Sequence, residues 1–184
     1  MDMLNAGITG NKKMNLVRFS ILIYLLAGCK NPDNTIDYLL LFSDTSTNEY
    51  GYKDQQGKII IPQGKYQFCF TDTFKTYAIV LKQDSGFIAI DRREKSLYKV
   101  FTFDNGPDNP SEGFFRIVEN NKIGYADAAT GKVLINPQFD CAFPFEGGKA
   151  KVSTDCKIKA EGEHSEWLSN NWFYIDKNGK RTDK

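Results

Sequence analysis

Residues 120–152 read NNKIGYADAATGKVLINPQFDCAFPFEGGKAKV. An alternating run from Ile123 closes on Asp127, Gly131-Lys132 follows, and a second apolar run, Val133-Leu134-Ile135, reaches Pro137. Side chains alternate along a strand, so Ile123 and Tyr125 share a face, and the ring marks that face as the buried one. An Asp at a strand end can accept hydrogen bonds from the backbone that follows it, which makes an Asx-type turn. Gly131 supplies a positive φ that other residues resist. Pro137 has no N–H, so pairing of the second strand is predicted to end there. The stretch is one β-hairpin.

The pattern recurs. Aligned on Asp, four lines appear: YGYKDQQGK (50–58), FIAIDRREK (87–95), IGYADAATGK (123–132) and WFYIDKNGK (172–180). Asp54, Asp91, Asp127 and Asp176 are spaced 37, 36 and 49 residues apart. Four residues before each Asp stands Tyr50, Phe87, Ile123 or Trp172, and two before it stands Tyr52, Ala89, Tyr125 or Tyr174. Trp172 is expected in the core on the strength of that column. Gly57, Gly131 and Gly179 mark the turns, whereas the second line has Arg92-Arg93-Glu94 there. A further strand is expected before each hairpin, at 38–42, 77–81, 115–118 and 150–152. Three short antiparallel strands cannot cover their own apolar face, so stacked neighbours must do it. The fold class expected is all-β, with antiparallel hairpin repeats near 36–72, 73–110, 111–148 and 149–184 forming an open array. A small closed propeller-like or barrel-like arrangement is the alternative.

Composition agrees. The chain of 184 residues spends 14 Phe, 9 Tyr and 2 Trp, which favours strands over helices. Of 24 basic and 23 acidic side chains, three and one respectively precede Cys29, which leaves the remainder near neutrality. No run of Lys and Arg tracks a phosphate backbone, so nucleic acid is not an expected partner.

The amino end reads as an address. Lys12, Lys13 and Arg18 precede a nine-residue apolar core at 19–27, far short of the about 20 residues that span a bilayer. A secretory signal over 1–28 is the reading, and Met14 as an alternative start leaves it intact. Leu26-Ala27-Gly28-Cys29 resembles the lipobox of bacterial lipoproteins. That resemblance implies cleavage before Cys29, a lipid on its sulfur, and a membrane partner reached through acyl chains worth about 0.8 kcal/mol per buried methylene. Residues 29–35 then form a tether, and the domain lies at the bacterial cell envelope, facing the periplasm or the exterior, where disulfides are permitted.

Cys69, Cys141 and Cys156 remain, with no C-x-x-C spacing and His164 as the sole histidine, so neither a zinc site nor any cofactor is expected. Burial of the three as small apolar side chains is the expectation. One disulfide plus a free thiol is the alternative, and spacing does not choose the pair.

The segments KIGYAD, TGKVLINPQFD and AFPFEGGKAKV resemble the WG (or KWG) β-repeat of bacterial envelope proteins, roughly from Ile36 onward. The Trp-Gly dipeptide itself is nowhere intact: Gly124 follows Ile123, and Trp172 precedes Phe173. The resemblance implies degenerate units, a last unit acting as a cap, and no catalytic residues to carry over.

Candidate chemistry is sparse. His164 would have to serve as base in any Ser-His-Asp or Cys-His mechanism, but it sits in the polar tip Glu161-Gly162-Glu163-His164. Each Asp-x-x-Gly turn offers one carboxylate beside a Lys, too few oxygens for calcium. The informative feature is the long third-to-fourth spacing, which places an insertion at 153–170. Inserted loops on rigid repeats commonly bind, so Trp167, His164 and Glu163 are the candidate contacts for a protein or glycan, with Trp167 evenly placed between packing and contact. Two alternatives are a hydrolase of envelope polymers using dispersed carboxylates and a structural spacer. Cys29→Ala is expected to move the protein from the membrane fraction to the soluble fraction; persistent membrane association would remove the lipid anchor.

Overall fold

Local turn chemistry organises the chain as expected. In the computed structural model, which describes the backbone of residues 37–161 and 164–182 and the side chains of that range outside 160–165, the repeat aspartates close their turns. Asp54 Oδ1 accepts the N–H groups of Gln56 and Lys58, Asp91 Oδ1 those of Arg93 and Lys95, and Asp176 Oδ1 those of Asn178 and Lys180. Asp127 Oδ1 takes the N–H and hydroxyl of Thr130. Gly57, Gly131 and Gly179 have φ of 84°, 72° and 78°. In the second turn Glu94 adopts that conformation (φ 62°). This costs about 1–2 kcal/mol for a side chain with a Cβ, offset by bonds from Lys65 Nζ and the Tyr66 hydroxyl to the Glu94 carboxylate.

The first unit comprises β1 (Leu39–Asp44), β2 (Glu49–Lys53) and β3 (Ile59–Tyr66), followed by β4 (Phe68–Cys69) and β5 (Thr73–Phe74). The second is β6 (Ala78–Lys82), β7 (Gly86–Ile90) and β8 (Ser96–Val100), followed by a small hairpin of β9 (Thr102–Phe103) and β10 (Gly106–Pro107). The third is β11 (Phe114–Glu119), β12 (Lys122–Asp127) and β13 (Val133–Phe139), followed by β14 (Cys141–Ala142). The fourth is β15 (Lys149–Ser153), β18 (Phe173–Asp176) and β19 (Arg181–Thr182), interrupted by the inserted hairpin β16 (Lys157–Glu161) and β17 (His164–Leu168). All pairings among these strands are antiparallel. Among the described residues no sheet closes into a barrel, so the open array stands.

Units join by a repeated handover. The outer strand of one unit, or its continuation, pairs with the first strand of the next: β4 with β6, β8 with β11, β14 with β15. At each junction one Phe N–H donates to the same repeat position: Phe70 to Ile79 O, Phe101 to Arg116 O, Phe143 to Lys151 O. On the first unit β5 covers β1 in that role, with Leu41 N–H donating to Asp72 O. The cores are shared likewise: one runs from Leu39 and Tyr52 to Val80 and Ile90, another from Tyr125 and Ile135 to Val152 and Ile175.

Tyr52 and Tyr125 are fully buried, and each hydroxyl donates to a carbonyl of the handover segment, Thr71 O at 2.9 Å and Phe143 O at 2.7 Å. Each such bond is worth about 1 kcal/mol. Tyr174 departs from its column and is half-buried, because β19 supplies only two residues beside it. The expectation of one buried face is also corrected. Ile88 and Ile90, or Gly124 and Ala126, are buried on the opposite side from Ala89 and Tyr125, since these middle strands lie between packed neighbours.

The Pro expectation fails too. β3 and β13 run through Pro62 and Pro137, and pairing resumes beyond them, Tyr50 with Tyr66 and Ile123 with Phe139, across a bulge. A bulge leaves its extra residues outside the ladder, so a missing N–H does no harm there. The bulge presses on the strand it faces. A Cβ on Gly124 would lie 2.5 Å from Pro137 N and against Ile135 O, and one on Gly51 would lie 2.7 Å from Ile61 O and 3.0 Å from Gln63 N. The second unit has Ile88 at that position and the fourth Phe173, and neither has a Pro in its outer strand. Gly124→Ala should therefore cost about 3 kcal/mol by overpacking against backbone. Gly57→Ala, strained only by its φ, should cost about 1 kcal/mol. Urea midpoints compare the two, and equal losses would discard the Gly–Pro coupling.

Candidate functional site

The inserted hairpin is built from its neck upward. Cys141, buried beside β15, is disulfide-bonded to Cys156, the residue before β16, with Cα atoms 5.9 Å apart. Ser153 and Ser169 hydroxyls meet at 2.7 Å, Asn171 N–H donates to Ser169 Oγ, and Asn171 Nδ2 donates to the Asp155 carboxylate at 3.0 Å. The expectation of three apolar thiols is thus corrected. The handover strand β14 and the insertion approach each other only in the fold, and this selects Cys141 and Cys156. Among the described residues Cys69 is the free thiol; it is buried, and burial pushes it up to about 11, which keeps it protonated and unreactive at neutral pH.

β16 and β17 pair Ile158 with Trp167 and Lys157 with Leu168. Trp167 turns toward the array, edge-on to Phe143 at 5.3 Å and to Phe101 at 5.9 Å. Phe101 and Phe143 are the handover phenylalanines of successive junctions, so one indole rests on two units. Trp167 is half-buried in that packing. Ile158, 67% exposed, and Leu168 face solvent. His164 begins β17 opposite Glu161, its side chain outside the described range. Glu163 and Cys29 lie outside the described residues.

Sequence reasoning missed a column of cations beneath this hairpin. The residues paired with the second-upstream position are Leu41, Ile79, Arg116 and Lys151 in successive units. Arg116 is buried. Its Nε donates to Asp108 at 3.0 Å, Nη2 also reaches the Asp108 carboxylate, Nη1 donates to Ala142 O at 3.1 Å, and the guanidinium lies 4.2 Å over the Phe101 ring. Removing one partner of such a pair costs about 3–5 kcal/mol, because the other charge is left buried. Lys151 is half-buried, with Nζ 4.7 Å over the Trp172 ring and 5.7 Å over that of Phe143. Trp172 is half-buried too, which corrects its expected place in the core: its ring packs on Phe143 at 5.5 Å. A charged residue inside the otherwise apolar runs FFRIV and AKV was the available signal.

Among the carboxylates, Asp127 is held below its usual range by the Thr130 hydroxyl, Asp176 by the Lys180 N–H, and Glu112 by Lys177. All three serve turns or unit contacts. Burial raises the phenols of Tyr52, Tyr66, Tyr98 and Tyr125 far above their ordinary value.

Residues 50–73 and 123–155 match the family model described as a WG containing repeat. The first stretch lies in the first unit; the second begins in the third unit and runs on through β14 and β15, the first strand of the fourth, and over both the chain is similar to that repeat. No curated protein matches the chain.

Replacing Cys156 by Ser should lower stability by about 3 kcal/mol, the chain-entropy value for a loop of this size. It should also free the hairpin neck, read as a red shift of Trp167 emission in the Trp172→Phe background. An unchanged spectrum and midpoint would mean that the disulfide does not hold the hairpin.

Proposed function

We propose that this chain is a non-enzymatic binding module, lipid-anchored through Cys29 at a bacterial cell envelope, whose inserted hairpin receives a protein or glycan. The supporting observation is the hairpin's construction. A two-stranded ribbon is marginal alone, yet this one is tied by the Cys141–Cys156 bond and wedged by Trp167 against two units, while Ile158 and Leu168 stay exposed. A rigid scaffold that carries an insertion with exposed apolar side chains is an arrangement by which loops bind. The disulfide supports an oxidising compartment, in keeping with the secretory reading. The displaced acids support a non-enzymatic role, since a catalytic acid needs a raised value and these are lowered by exposed hydrogen bonds.

A photo-crosslinking residue at position 158 of the full chain should capture a reproducible neighbour in cells. Ile158→Asp should weaken that partner's binding roughly tenfold, as expected of an interface anchor, with the urea midpoint unchanged. Absence of any reproducible neighbour would favour a spacer and retire the hairpin as the site.

A further inference from the structure

The repeat supplies its own template for a ligand. Arg116 and Lys151 occupy one column: each lies opposite the residue two before the repeat Asp, and the carbonyl of each accepts a handover Phe N–H. Each cation lies over that Phe ring, Phe101 for Arg116 and Phe143 for Lys151. In the third unit the chain between the Phe and the cation includes the β9–β10 hairpin, which returns Asp108 beside Phe101 through Asp108 N–H to Phe101 O at 2.8 Å. The Asp108 carboxylate then takes both the side chain and the main-chain N–H of Arg116, the latter at 2.7 Å.

The fourth unit lacks that hairpin between Phe143 and Lys151. Among the described residues, Lys151 Nζ has no carboxylate in ion-pair contact. Of the acids in its own unit whose side chains are described, Asp155 bonds Asn171, Asp176 closes its own turn, and Glu166 makes no ion pair with Lys151. What remains is an ammonium over two rings, half-exposed, where the neighbouring unit holds a carboxylate.

We propose that Lys151, with Phe143 and Trp172, forms a subsite for an acidic peptide segment of a partner protein, whose carboxylate takes the place that Asp108 takes beside Arg116. This rests on the binding-module reading and names its ligand chemistry. A peptide is the class favoured because the occupant of the equivalent place is itself a peptide, residues 102–108, which brings a carboxylate together with a ring: Phe103 lies 5.7 Å from the Arg116 guanidinium. A charge-assisted bond in a ring-lined, partly dry site is stronger than an exposed ion pair. Lys, a compact ammonium, donates to one carboxylate oxygen without the fixed fork of Arg.

The test uses the full chain and a synthetic peptide with the sequence of residues 101–109, FTFDNGPDN, blocked at both ends. Titration followed by the Trp172 indole NMR signal should saturate in the millimolar range. The same peptide with both Asp replaced by Asn should bind roughly tenfold more weakly, or not at all. Lys151→Ile, which places the Ile79 residue type of the second unit in this column, should keep the urea midpoint and lose binding by a similar factor, and Lys151→Arg should retain it. Equal binding of the Asp and Asn peptides, indifference to Lys151→Ile, or no binding at all would overturn the proposal. So would an oligogalacturonate that shifts the indole where the peptide does not, since the ligand would then be an acidic glycan. The two readings fail separately. Crosslinks from position 158 that persist in Lys151→Ile, with no peptide binding, remove only this subsite. Peptide binding without any crosslink removes only the hairpin.

Discussion

The structure depends on the handover bond from one phenylalanine N–H to the first strand of the next unit. A three-stranded unit leaves an open edge and an uncovered face, and both are liabilities for an isolated ribbon. At Phe70, Phe101 and Phe143 the chain leaves one unit while pairing with the next, so the edge is consumed and the core becomes common property. The tyrosine hydroxyls of Tyr52 and Tyr125 fasten the same segments from the other side. Stability in such an array is a sum of unit and neighbour terms, which explains how poor units persist among good ones. The second unit tolerates Glu94 in a left-handed turn because that carboxylate is used by Lys65 and Tyr66 of the first.

The units also divide into two kinds. Where the outer strand carries Pro62 or Pro137, the bulge descends on Gly51 or Gly124, and no side chain fits between. Where Pro is absent, Ile88 or Phe173 fills the position. The similarity to WG containing repeats includes the bulged strand pairs of both units of the first kind and extends into β15 of the fourth unit. Gly51 and Gly124 are thus packing requirements imposed by the neighbouring strand, not turn residues.

Variation then accumulates on the scaffold where it is cheapest, in the connections between units. One insertion, β9–β10, brings Asp108 to neutralise Arg116; the other, β16–β17, is tied by a disulfide and carries Trp167 to Phe101 and Phe143. The first insertion reaches Phe101 through the Asp108 N–H, and the second rests on the rings of Phe101 and Phe143. Lys151, over the Phe143 and Trp172 rings, is the column's only described cation besides Arg116.

The sequence by itself determined what is local. Asp54, Asp91, Asp127 and Asp176 close turns on their own following backbone, the turn glycines adopt the required φ, and period-two patterning places the strands nearly where they form. It also determined that the units must stack, since none could bury its rings alone. Tertiary structure decided whatever needed two distant segments to meet. It passed β3 and β13 beyond their prolines, because only the facing Gly makes room for a bulge. It chose Cys141 and Cys156, because the neck of an insertion returns to the handover strand. It left Tyr174 half-covered, because β19 is short, while Tyr52 and Tyr125 in the same column are sealed. And it joined Arg116 to Asp108 but, among the described residues, gave Lys151 no such partner, a difference invisible in the strands themselves because it resides in the connection that one junction has and the next lacks.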